Sequence, residues 1–205
     1  MNKKTLHIVI QLVAGALVFA AVGTQLALQF EYQQSIVNFF SFFTNLSNIL
    51  AGFVLLYGAV LLIQNKTSKV YDVVRGASVV YMAVVGVVFS LLLSGAELGI
   101  LQPWVNTVLH YIMPVVVVAY WFINPPKNKI ATKTIGYWLI FPAAYLFYSL
   151  VRGAIVNWYP YPFLNPSQDG GYGMVALYSL LVLVFFIVFS LAIRWASNVR
   201  TKKKK

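Results

Sequence analysis

The stretch GMVALYSLLVLVFFIVFSLAIRW, Gly173 to Trp195, decides the fold class. It holds one charge, Arg194, beside its last residue. A helix needs about 20 predominantly apolar residues to cross the hydrocarbon of a bilayer. This run satisfies that. It lacks the strict alternation of a strand, and it is too long for the roughly 9–11 residues of a barrel strand.

Working outward from it, five more runs of the same kind appear. They are Thr5 to Gln29, Asn38 to Gln64, Val73 to Gly95, Trp104 to Ile123 and Ile135 to Val156. The expectation is an all-α polytopic membrane protein, with six transmembrane helices in one bundle and a single domain over 1–205. Composition agrees. Of 205 residues 60% are hydrophobic and 9% charged, against about 25% charged in soluble domains. A soluble globular fold is therefore excluded. The first run exceeds the 7–15 apolar residues of a signal peptide, so it is read as a true span. The short connections predict antiparallel neighbours, and GGYG at Gly170 to Gly173 reads as a flexible lead-in to the sixth span.

The net charge of +11 is explained by topology. Lys3 and Lys4 precede the first span. Lys66, Lys69 and Arg75 are read as lying between the second and third, and Lys127, Lys129 and Lys133 between the fourth and fifth. Arg194, Arg200 and Lys202 to Lys205 close the sixth. These are 14 of the 15 basic residues, all toward one face, while the opposite connections carry Glu31, Glu97 and Asp169. The positive-inside rule then predicts a multi-pass protein of the cell membrane with both termini cytoplasmic. Nucleic acid is not expected as a partner. The expected partners are membrane lipids, and the KKKK tail could touch anionic headgroups.

Chemistry is narrowed by what is missing. Cysteine is absent, and no Walker A, HExxH or GxSxG motif occurs. His7 and His110 fall near opposite faces, which excludes a two-histidine metal site in one protomer. No cofactor or metal is expected. The sequon at Asn45 falls in a span and that at Asn65 on the cytoplasmic side, so neither is expected to carry sugar.

Polar and ionisable residues inside spans are costly, and they default to functional hypotheses. Thr44 and His110 each stand six residues beyond the opening residue of their span, about 9 Å deep at 1.5 Å per residue. Arg152 stands roughly 6 Å from the end of the fifth span. Asn48 shares a helix face with Thr44, and Asn106 with His110. Ser149, three residues before Arg152, joins it as a substrate-binding candidate. Each also has a structural reading. Threonine can bond its own helix, Asn and Ser can tie helices together, arginine can snorkel, and a histidine can simply be packed in a core.

The segments FFSFFTNLSNIL (Phe39 to Leu50), NTVLHYIMP (Asn106 to Pro114) and YPFLN (Tyr161 to Asn165) resemble, in order and spacing, the androgen-induced-gene family of integral membrane proteins. The small bacterial "Pr-six-Pr" members are the nearest in kind. The resemblance covers spans two to six. It departs at Asn165, where the family carries an acid, and at Arg152, which has no counterpart in the animal members. Animal members hydrolyse fatty acid esters of hydroxy fatty acids with a threonine nucleophile and a histidine. The resemblance implies Thr44 and His110 in those roles.

The residue chemistry is compatible. A threonine hydroxyl needs a base in reach, and a neutral imidazole can take its proton and return it to the leaving alkoxide. Asn48 or Asn106 could hold the oxyanion. Arg152 presents a fork that matches a carboxylate, so it could anchor an acidic lipid head or pair with an acid of an outer loop. The segment NWYPYPFLNP (Asn157 to Pro166) reads either as a cover over this site or as an interfacial aromatic belt. A small transporter or channel, or a non-catalytic lipid-binding protein, are the alternatives.

Overall fold

The computed structural model describes residues 1–95, 99–168 and 170–202. Glu97 and Asp169, two acids named as possible partners of Arg152, and lysines 203–205 of the tail lie outside the described residues.

Asn2 opens α1 (Lys3–Glu31) by accepting the Thr5 N–H at 2.8 Å. This is a conventional N-cap that satisfies one of the free donors of a helix start. A short α2 (Ile36–Phe40) is capped by Ser35. The chain then breaks at Ser41–Phe42 before α3 (Phe43–Ile63). The continuous span expected over 38–64 is thus two helices. The Ser41 hydroxyl turns back to Val37 O at 2.7 Å, and the Ser41 carbonyl is taken by the Tyr145 phenol at 2.8 Å.

The third span, α4 (Lys69–Val88), is capped by Ser68 and ends in a π-helical turn, Phe89–Leu93. Next come α5 (Pro103–Thr107), a second π-helical turn (Val108–Ile112) and α6 (Met113–Ile123). Pro114 accounts for that turn, because it has no N–H for the carbonyl of His110 and its ring crowds that carbonyl. The last two spans are α7 (Thr134–Val156) and α8 (Gly171–Lys202), with a 3₁₀ turn at Pro162–Leu164 between them. Gly171 opens α8, so the GGYG segment is partly helix rather than a loop.

Six of these segments are long and apolar enough to cross a membrane. The protein is an all-α, multi-pass membrane bundle. Its centre is α4, with 61% of its most apolar window buried against 17% for α8. Small residues let α1 and α3 approach closely: a methyl group added at Gly52 would stand 2.9 Å from the Phe19 ring. Interfaces of this kind drive helix association in lipid.

Polar groups mark the two ends of the bundle. At one end Lys4 Nζ donates to Asn65 Oδ1 at 2.7 Å. There too the Asn198 amide pairs with both backbone groups of Ile130. Arg75 corrects the expectation that placed it in a connection. Ser68 starts α4 early enough to put Arg75 in its second turn, 6% exposed. Its guanidinium donates to Asn124 O and Tyr120 O and lies over the Tyr120 and Trp121 rings. On Asn124 O it satisfies an acceptor that the end of α6 leaves free, while Tyr120 O also accepts the Asn124 N–H. Beside it Gln11 donates to the Tyr120 hydroxyl at 2.6 Å. At the opposite end Gln25, 4% exposed, clasps Ile100 O and the Gln102 N–H.

Candidate functional site

Pro142 sets up the site by disturbing α7. It has no N–H for the Trp138 carbonyl one turn back. The Tyr81 phenol of α4 supplies the missing donor at 2.8 Å. In the middle of the helix the Tyr145 and Tyr148 phenols hold α7 to Ser41. Residues of α3, α4, α7 and α8 line a cavity of about 420 Å³ beside these ties. Ligand pockets commonly measure roughly 300–1,000 Å³.

The cavity wall is almost wholly apolar. Val84, Val88 and Phe89 come from α4, Leu139, Pro142 and Leu146 from α7, and Leu183 and Phe186 from α8. Four hydroxyl-bearing residues are among those that line it: Thr44, Tyr145, Tyr161 and Ser179. The Ser179 hydroxyl is buried and has no hydrogen-bond partner among the described residues.

Thr44 is the second residue of α3, and the local geometry follows from a missing cap. Phe42 occupies the N-cap position and has no side-chain acceptor. Two phenols take its place. The Phe43 N–H donates to Tyr145 Oη and the Thr44 N–H to Tyr161 Oη, both at 3.2 Å. Tyr161 Oη also lies 3.3 Å from Thr44 Oγ1. The Tyr161 ring is stacked on Phe163, with centroids 5.2 Å apart and planes 5° apart. Burial pushes the Tyr161 phenol up from its ordinary pKa, so it keeps its proton.

Comparison with family models, with curated proteins and with solved structures finds no match. Function therefore rests on the site.

Of the six residues singled out from sequence, only Thr44 is on the cavity wall. Asn48 lies below it, 0% exposed, and donates both amide protons to carbonyls, Thr44 O at 3.0 Å and Leu109 O at 3.1 Å. It braces α3 against the second π turn. His110 belongs to that turn. Its Nδ1 donates to Asn106 O at 3.1 Å, which leaves Nε2 as the basic nitrogen of a neutral ring. The imidazole is stacked on Phe89, centroids 3.9 Å apart, and Phe89 in turn lines the cavity. Both π turns meet in that stack. No hydrogen bond joins Thr44 to His110 among the described residues.

The Arg152 group stands apart. Its Nη2 donates to Asn38 Oδ1 at 2.6 Å, and its guanidinium lies 5.0 Å from the centre of the Trp158 ring. Ser149 is buried beside Tyr145. Asn106 Oδ1 is buried without a hydrogen-bond partner among the described residues.

Sequence reasoning passed over Tyr145 and Phe89, and it took Tyr161 only as part of the 157–166 segment, whose Tyr161, Phe163 and Leu164 line the cavity. One signal was available: Tyr145, Ser149 and Arg152 recur at four and three residues, a polar stripe on one helix face. For Tyr161 the reading of its loop as a cover over the site was the signal, but nothing in YPYPFL shows that this tyrosine in particular returns to the start of α3.

Proposed function

We propose that the protein is an intramembrane hydrolase of lipid esters, with Thr44 as nucleophile and His110 as base. The observation that carries this reading is a buried threonine hydroxyl on the wall of an otherwise apolar cavity of about 420 Å³. At the roughly 30 Å³ share of a water molecule that is room for about 14 such units, the scale of one acyl chain. Two further features support it. His110 Nε2 has no hydrogen-bond partner among the described residues, and the π turns that carry His110 and Phe89 are of a kind found often at functional sites. A turn of the Phe89 side chain opens the imidazole to the cavity.

In the reaction Thr44 Oγ1 bonds to the acyl carbon, the ester C–O bond breaks, and the threonine proton passes through the imidazole to the leaving alkoxide. Water then cleaves the acyl-threonine, releasing a fatty acid and restoring the hydroxyl. The excess of Lys and Arg at one end puts that end in the cytoplasm. Thr44 then opens to the outer leaflet of the cell membrane, and membrane lipids are the partners.

A fluorophosphonate probe on membranes tests this. Wild type is expected to label covalently and turn over a neutral long-chain ester. Thr44→Ala is expected to do neither, and His110→Gln to lose about 10²–10⁴ in rate. Labelling that survives in Thr44→Ala overturns the nucleophile. A non-catalytic lipid-binding protein is the second reading. It is favoured by the contact of the Thr44 hydroxyl with a phenol rather than an imidazole, and its signature is bound lipid without turnover.

A further inference from the structure

Attack on an ester carbonyl leaves a negative charge on its oxygen, and an apolar chamber tolerates that charge only where a hydrogen-bond donor is already in place. Neither asparagine named from sequence is available on the wall. Both amide protons of Asn48 are given to backbone carbonyls, and Asn106 is not a wall residue.

We propose that Tyr161 is the donor that binds the ester carbonyl oxygen and holds its charge when Thr44 attacks. The inference rests on Thr44 being the nucleophile. Tyr161 and Thr44 both line the cavity, and Tyr161 Oη lies 3.3 Å from Thr44 Oγ1, so a carbonyl carbon at the threonine hydroxyl has its oxygen within reach of the phenol. The phenol oxygen already accepts the Thr44 N–H at 3.2 Å. Accepting one hydrogen bond strengthens the donation of another. That N–H belongs to the first turn of α3, so the positive end of a 21-residue helix acts through the phenol. Tyr145 is a poorer donor, because its proton is given to Ser41 O at 2.8 Å. The stack on Phe163 holds the Tyr161 ring before substrate arrives, and burial keeps the phenol protonated.

The proton balance is simple. The carbonyl electron pair moves onto oxygen as the Thr44 bond forms, and it returns as the alkoxide leaves. Tyr161 donates a hydrogen bond throughout and neither gains nor loses a proton. A substrate class follows. The cavity wall carries no cation among the described residues, so a charged carboxylate there would be unpaired and costly. The head that suits it is an uncharged ester.

The test uses the full chain in lipid nanodiscs, a neutral long-chain nitrophenyl ester, and Tyr161→Phe, which keeps the ring and removes only the hydroxyl. We expect kcat to fall by about 10²–10³ with KM changed by less than about threefold. An alkyl trifluoromethyl ketone, which forms an oxyanion on Thr44, is expected to lose affinity by the same factor. The ether analogue of the substrate, which has no carbonyl, is expected to bind as to wild type, and it also reports that the variant is folded. Unchanged kcat and ketone affinity in Tyr161→Phe overturn the proposal and leave the phenol as a cap of α3. A faster variant overturns it too, and makes the phenol a mask on Thr44. Wild type without Thr44-dependent turnover overturns the nucleophile reading and this proposal together. Turnover lost in Thr44→Ala but kept in Tyr161→Phe overturns this proposal alone.

Discussion

At the scale of single residues, partners decide what a polar side chain in a membrane does. Arg152 was a candidate anchor for a lipid carboxylate because nothing in its own span could neutralise it. In the fold it is held by Asn38 and lies over Trp158, and it is not a wall residue of the cavity. Its work is to fasten the start of the 157–166 loop to α2. Arg152→Gln is therefore expected to change KM for a carboxylate lipid and for its methyl ester by the same factor, and to lower the thermal midpoint. A cation–π contact alone contributes about 0.5–2 kcal/mol. Steady-state kinetics on the two substrates checks this, and a selective loss of the carboxylate substrate would restore the arginine to the binding site.

At the scale of elements, proline creates a vacancy that another helix fills. Pro142 leaves the Trp138 carbonyl without its helical donor, and Tyr81 of α4 fills that place at 2.8 Å. Tyr81 is 3% exposed, so no lipid or water stands ready to replace it. Removing one partner of a buried hydrogen bond costs about 1–3 kcal/mol. Tyr81→Phe is expected to lower the unfolding midpoint of the detergent-solubilised protein by that measure. Pro142→Ala restores the N–H inside α7. The double variant is then expected to recover part of the loss, and strict additivity of the two changes would show that the groups are uncoupled. The same element logic applies to α3. With Phe42 at its N-cap it begins on borrowed phenols, and that places Thr44 among hydroxyl groups.

At the scale of the whole molecule, the charge distribution predicts an orientation for the bundle, and helix packing places the cavity. The chain has no native cysteine, so single cysteines can map it. A cysteine in place of Lys127 is expected to react only with a reagent that reaches the cytoplasm, and one at Ser167 with an impermeant reagent applied outside. The reverse pattern would turn the bundle over and put Thr44 in the inner leaflet. Packing is uneven: 61% of the α4 span window is buried against 22% for α7 and 17% for α8, and all three helices contribute to the cavity wall.

The number of spans, the all-α class and the clustering of basic charge were settled by the amino-acid sequence alone. Twenty-odd apolar residues in a row have one stable solution in lipid, which is a helix with its backbone satisfied internally. That rule is local, so it can be read locally. Thr44 was legible for the same reason, as a hydroxyl in an apolar run. The break at Ser41–Phe42, the burial of Arg75 and the pairing of Thr44 with Tyr161 were decided by tertiary structure. Each depends on a donor or acceptor contributed by a segment distant along the chain: Tyr145 for Ser41, Tyr120 and Asn124 for Arg75, and a loop phenol 117 residues away for Thr44. A hydrogen bond between side chains that far apart leaves no periodicity in either segment, so only the packed fold shows it.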